Sequence, residues 1–192
     1  MHRISVMNKS QDKKSFDYSE YEHASIGVLS DTHSHINASV LDYLNDCDII
    51  LHAGDIGSIQ VIKQLHQISN GVIAVCGNND NALQWDRSEH QDLQHIPQIA
   101  EVTLPGGIIT VTHGDEYFSD YDVWHQSLRS NFPQSKAIIY GHSHRLVCDK
   151  NDNPWVLNPG ASGATRIQRH GVSCLRITAN KKIWDVSEFK AA

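Results

Sequence analysis

Ser25-Ile26-Gly27-Val28-Leu29-Ser30-Asp31-Thr32-His33 sets an apolar run directly before a carboxylate and an imidazole two residues apart. The run reads as a buried strand, and the polar residues that follow read as its exit. The same arrangement recurs along the chain. Ile49 to Ala53 leads into Gly54-Asp55, Gly71 through Cys76 into Gly77-Asn78, Ile108 to Thr112 into His113-Gly114, and Ala137 to Tyr140 into Gly141-His142-Ser143-His144. Strands of a parallel or mixed sheet tend to deliver their C-terminal ends to one edge, so side chains far apart in sequence converge there on one crevice. Asp31, His33, Asp55, Asn78, His113, His142 and His144 are therefore candidate metal ligands. Gly54, Gly77, Gly114 and Gly141 read as backbone pivots that turn the strands at the crevice.

Between these runs the pattern changes period. A helix is expected over Ala38 to Asn45, and Ile59, Ile62, Leu65 and Ile68 stand close to helical spacing, so the first third reads as β-α-β-α-β. Asn81 to Pro97 is polar and lacks periodicity, which suits a lid or rim. Strands Ile99 to Leu104 and Ile108 to Thr112 hinge on Pro105-Gly106-Gly107, and Tyr121 to Leu128 reads as a helix. Leu146 to Cys148, Trp155 to Leu157, Gly171 to Ile177 and Lys182 to Val186 read as antiparallel strands separated by turn residues. Residues 1 to 24 carry no pattern and read as a polar N-terminal arm, which leaves one domain over 25 to 192.

The chain has 192 residues, a formal net charge of −6 and 40% hydrophobic residues, enough for one domain with a buried core. Its apolar runs stop far short of a membrane span, and no secretory h-region precedes residue 25. The four cysteines form no C-x-x-C pair, so reduced thiols in a cytoplasmic protein are expected. An acidic balance excludes extended nucleic-acid binding by charge alone, because that needs a basic face. A single phosphoester held by metal ions remains compatible with it. Homo-oligomerisation is left open.

Carboxylate oxygen, amide oxygen and imidazole nitrogen without thiolate suit borderline divalent ions. Two such ions are expected, Mn2+ first, with Fe2+, Zn2+ or Ni2+ as alternatives. Two aspartates cancel half of their charge, and the excess attracts a hydroxide and an anionic phosphoester.

Taken in order, D-x-H, G-D, G-N, an H after a strand and G-H-x-H resemble the calcineurin-like metallophosphoesterase superfamily over roughly residues 25 to 178. Gly77-Asn78-Asn79-Asp80 and Asn158-Pro159-Gly160 make the chain look like the small bacterial and archaeal phosphodiesterase branch. The resemblance implies an α/β fold built as a four-layer α-β-β-α sandwich. It also implies one metal on Asp31, His33 and His144, another on Asn78, His113 and His142, and Asp55 bridging them. Asp55, Asn78 and His113 would form the catalytic group, and a hydroxide between two metals would attack a phosphodiester. Other activities implied are a phosphomonoesterase or nucleotide phosphatase on the same site. The fold is also similar to that of the vacuolar retromer subunit, which implies a protein-binding scaffold as a further alternative.

Three positions depart from the pattern. Asn79 stands where larger members have a histidine that protonates the leaving group, His113 is followed by Gly114-Asp115 where many relatives have Gly-His, and Ala161 replaces a serine. Asn79 and Arg166 are the expected substrate contacts. His52 reads as a packed or ligand-orienting histidine, Cys76 as a small core residue, and Asp80 as either a turn former or an orienter of a liganding histidine. His66, His90, His95 and His125 are expected on the surface.

Overall fold

The computed structural model describes residues 13–163 and 171–191. Strands β2 (His23–Leu29), β3 (Ile49–His52) and β4 (Gly71–Ala74) run parallel, and helices α1 (Ala38–Leu44) and α2 (Ile59–Leu65) make the crossovers. Asn37 and Ser58 cap these helices by accepting the backbone N–H two residues on. Two antiparallel strands, β10 (Ser173–Asn180) and β11 (Trp184–Lys190), complete this sheet in the order β11-β10-β2-β3-β4. The second sheet holds β1 (Lys13–Asp17), β5 (Ile99–Leu104), β6 (Gly107–Thr112), β7 (Ala137–Ile139), β8 (Leu146–Asp149) and β9 (Trp155–Pro159) in the order β1-β5-β6-β7-β9-β8.

The sheets face each other across Ile26, Val28, Leu51, Ile73, Val102, Ile109, Ile139 and Leu157. Alternate residues of the same strands point outwards. Ile50 packs with Val40, Leu44, Val61 and Leu65 under α1 and α2, while Ile138 and Val156 pack with Trp124 and Leu128 of α4 (Tyr121–Asn131). Both faces of the central strands are thus covered, which explains why they read as continuous apolar runs instead of alternating ones. The four-layer α-β-β-α sandwich is the observed architecture.

Three expectations are corrected. Lys13–Asp17 is not patternless arm: it forms an edge strand pairing in parallel with β5, and its half-buried Phe16 packs against the core between the sheets. The C-terminal strands are not one antiparallel set, because β9 also pairs in parallel with β7 while β10 and β11 belong to the other sheet. The 81–97 connection holds a 3-10 turn, Arg87–Glu89, and the short helix α3 (His90–Leu93), and it buries Trp85. Among the described residues no helix is long and apolar enough to cross a membrane.

Candidate metal centre

Beyond the strands the backbone pairing continues into the crevice. Asp31 N–H donates to Gly54 O at 3.0 Å, His33 N–H to Asp55 O at 3.0 Å, and Gly141 N–H to His113 O at 3.1 Å. This zippering fixes where the side chains leave the backbone. Five of the candidate ligands have left-handed backbones: Asp31 (φ 53°), His33 (45°), Asp55 (54°), His142 (65°) and His144 (55°). Positive φ on a non-glycine residue costs free energy, and its concentration here marks a site held in place by its surroundings. Gly77 and Gly141 serve close approach, not pivoting. A Cβ at Gly77 would run into the Asp55 carboxylate, and one at Gly141 would run into the Ser30 hydroxyl beside Asp31. Gly54, at φ +92°, is a pivot as expected.

The structure brings all seven candidate side chains together in two adjoining clusters. In one, Asp31, His33, Asp55 and His144 place ligand atoms within 4.8 Å of one another. His144 Nε2 lies 3.2 Å from Asp31 Oδ1, and His33 Nε2 lies 3.5 Å from His144 Nε2 and 3.8 Å from Asp55 Oδ2. In the other, Asn78 Oδ1 is 3.2 Å from His113 Nε2 and 3.0 Å from His142 Nδ1. Asp55 Oδ1 is 3.5 Å from His113 Nε2, so the two oxygens of Asp55 face different clusters. Asp31 is fully buried, yet neither of its carboxylate oxygens accepts a well-directed hydrogen bond among the described residues. A buried carboxylate without such partners is costly unless a cation completes it, and the imidazoles of His33 and His144 and the carboxylate of Asp55 supply the remaining donors. The residues fit divalent metal ions.

Electrostatics agree with that fit. Burial opposes the charge on Asp55, but the hydrogen bond and charge of His113, together with Asn79, hold its carboxyl well below the usual carboxylate range. Burial also opposes a proton on His113, and Asp55 and Asp31 reverse that, raising it to about 9. His144 is raised by its approach to Asp31, whereas burial and the charge of His113 push His142 down. The Nδ1–H of His113 donates to Ala53 O at 2.8 Å, leaving Nε2 of the neutral ring directed at Asp55 and Asn78, which is the tautomer a metal needs.

Supporting residues lock the ligand loops. His52, fully buried, accepts Gly54 N–H at Nδ1 (3.2 Å) and therefore donates from Nε2 to Thr32 Oγ1 (2.9 Å), whose hydroxyl donates to Ile56 O (3.0 Å). His52 thus braces the loops that carry Asp31 and Asp55, and burial lowers it to about 4, so at neutral pH it is the neutral ring without an acidic imidazolium proton. Among the described residues Asp80 hydrogen-bonds no histidine. It accepts the N–H groups of Ile56, Gly57 and Gly77 and the Trp85 indole, tying the Asp55 and Asn78 loops together. Asn158 donates to Gly141 O (2.7 Å) and Ser143 Oγ (3.1 Å), bracing the His142 loop. An aspartate two residues after a ligand and an asparagine in a turn motif were the available signals for these two roles.

Asn79 reaches Asp55: its backbone N–H donates to Oδ1 at 2.9 Å and its side-chain amide to Oδ2 at 2.6 Å. Arg166 lies outside the described residues. Cys76 is buried as expected, and His66 and His95 are exposed. His125 corrects the surface reading. It is buried, 3.0 Å from Asp149 and 2.9 Å from the Tyr140 hydroxyl.

A two-sheet sandwich with clustered carboxylates and imidazoles at its strand ends defines a metal-dependent hydrolase scaffold. The calcineurin-like phosphoesterase superfamily domain matches residues 25–182, and the chain belongs to that family, a family of phosphoesterase enzymes. It is 31% identical over 143 residues to a phosphodiesterase of Methanocaldococcus jannaschii, covering 70% of this chain and 82% of that one. A probable metallophosphoesterase of Methanothermobacter thermautotrophicus is 29% identical over 163 residues, covering 81% and 87%. Among solved structures, an archaeal phosphodiesterase superposes with a TM-score of 0.64 at 25% identity, covering 86% of this chain and 99% of that one. Wild-type Vps29 of Entamoeba histolytica, solved with Zn2+, has a TM-score of 0.70 at 19% identity, covering 86% and 92%.

Proposed function

We propose that this phosphoesterase hydrolyses phosphodiesters at a centre of two divalent ions, with Asp31, His33 and His144 holding one, Asn78, His113 and His142 the other, and Asp55 shared. The observation that carries the reading is Asp55, whose two oxygens face the two clusters, while buried Asp31 accepts no well-directed hydrogen bond among the described residues. Ions bound there would supply Lewis acidity and a nucleophile at neutral pH. The mixed oxygen and nitrogen donors support Mn2+, with Fe2+, Zn2+ or Ni2+ next. Asp31 and Asp55 lower the excess positive charge, so a diester monoanion with hydroxide neutralises the centre while a monoester dianion overshoots. The phosphodiesterase relatives support the same preference. Asn79 has no acidic proton, and His52 is neutral with both ring nitrogens engaged, so the leaving oxygen departs without general-acid help from either.

The test is kcat/KM for bis(4-nitrophenyl) phosphate against 4-nitrophenyl phosphate with Mn2+ supplied. The diester is expected to be the better substrate. A clear preference for the monoester would replace this reading with a phosphomonoesterase. A protein-binding scaffold, the activity-free alternative, would show neither reaction, and retention of all seven clustered donors speaks against it.

A further inference from the structure

Beside the metal centre lies a cleft of about 430 Å³ that shares His142 with it and is otherwise lined by Phe118, Tyr121, Trp124, Ser143 and Arg145 among others. Phe118 is 62% exposed, although it stands edge-on to Trp124 (5.2 Å) and to His142 (5.4 Å). A phenylalanine left this open loses the burial that normally favours it, and here its ring forms part of a cleft wall next to a candidate ligand. Arg145 follows the last ligand pair, is exposed, and makes no ion pair or side-chain hydrogen bond among the described residues. A guanidinium plane and an aromatic ring in one cleft are both surfaces on which a flat π-system stacks.

Resting on the phosphodiesterase reading, we propose that this cleft selects the substrate: it takes a planar aromatic group, an aryl ring or a nucleobase, carried by one of the two esterified oxygens. Because His142 borders both the cleft and the metal centre, a group seated there is tethered through the phosphorus under attack. Phe118 is thus a specificity residue, and Arg145 assists it.

The experiment compares three diesters with the same 4-nitrophenolate leaving group, so that leaving-group acidity is constant: methyl, phenyl and thymidine-5′ 4-nitrophenyl phosphates. Stacking of one ring should raise kcat/KM over the methyl ester about tenfold, mainly through KM. In Phe118→Ala that ratio should fall to near one, and Phe118→Leu, which keeps bulk without the ring's π-face, should fall most of the way. Phenyl and thymidine gaining together indicates an aryl-tolerant cleft, and thymidine alone a nucleobase site. Equal rates for all three esters in the wild type would overturn the proposal. If no diester is cleaved, the phosphodiesterase reading fails, and calorimetric binding to the metal-loaded protein decides the cleft separately. Thymidine 5′-monophosphate should bind about tenfold more tightly than methyl phosphate, and only when Phe118 is present. Equal binding of the two would overturn the proposal whatever the outcome of hydrolysis.

Discussion

The part of the site around Asp31 and the part around Asn78 are built on neighbouring strand ends, yet they differ in charge. The first contains the buried carboxylate of Asp31 and faces one oxygen of Asp55. The second has a neutral amide and two imidazoles, and among the described residues its carboxylate contact is the other Asp55 oxygen. A cation gains more from a paired set of carboxylates in a low-dielectric pocket than from an amide and imidazoles. The comparison teaches that the two proposed metal positions need not be equal: the Asp31 side should fill first and the Asn78 side should be weaker.

The most disruptive way to break the comparison is to remove what both halves share. Asp55→Asn should take hydrolysis below detection and lower metal content more than any change at an outer ligand, because it strips charge from both clusters. Normal metal content with full activity would remove Asp55 from the centre.

A smaller effect separates the halves by pH. In metal-free protein His113 sits near 9, above its ordinary value of 6.5, so its protonated form adds stability that is complete below about pH 6.5 and is lost as pH rises through about 9. That same proton must leave before His113 can be a ligand. Affinity of the Asn78 side should therefore fall as pH is lowered beneath about 9, by up to about tenfold per unit if one proton is displaced. Asp55 is already ionised across this range and adds no such slope, whereas His144, raised by Asp31, must also release a proton, so the Asp31 side weakens as well but over a narrower range than the Asn78 side. Metal titrations at pH 6, 7 and 8 check this, and equal slopes for the two ions would remove the assigned difference.

Smaller still is the effect of the ties between loops. Asp80→Asn keeps one acceptor and loses about half of four hydrogen bonds, which should cost roughly 2 to 4 kcal/mol in chemical denaturation. Displacement of both ligand loops should also reduce activity by about 10- to 100-fold. Wild-type stability in that variant would show that Asp80 is dispensable to the loops.

The convergence of the candidate ligands was legible because each follows a strand covered on both faces, and Ile49-Ile50-Leu51 or Ala137-Ile138-Ile139 must then be apolar at every position. Strand order placed their exits together. The edge strand Lys13–Asp17 was not legible, since an edge strand with one inward aromatic and exposed lysines carries no period. His125 was misread for a related reason. A helix shows which face is apolar, but not that Asp149, from another strand, and Tyr140 wait beneath it to satisfy an imidazole. The left-handed backbones of the candidate ligands had no local signal either, because loop pairing across the crevice imposes them and no residue preference does.

The central claim is a pair of unequal metal positions joined at Asp55, and counting bound ions tests it most directly. Titrating chelated protein with Mn2+ under calorimetric observation, with elemental analysis of the product, should give two ions per chain in two resolved steps. His142→Ala should keep the tighter step and lose the weaker one. A wild-type chain that saturates at one ion, or a His142→Ala chain that still takes two, would contradict the account.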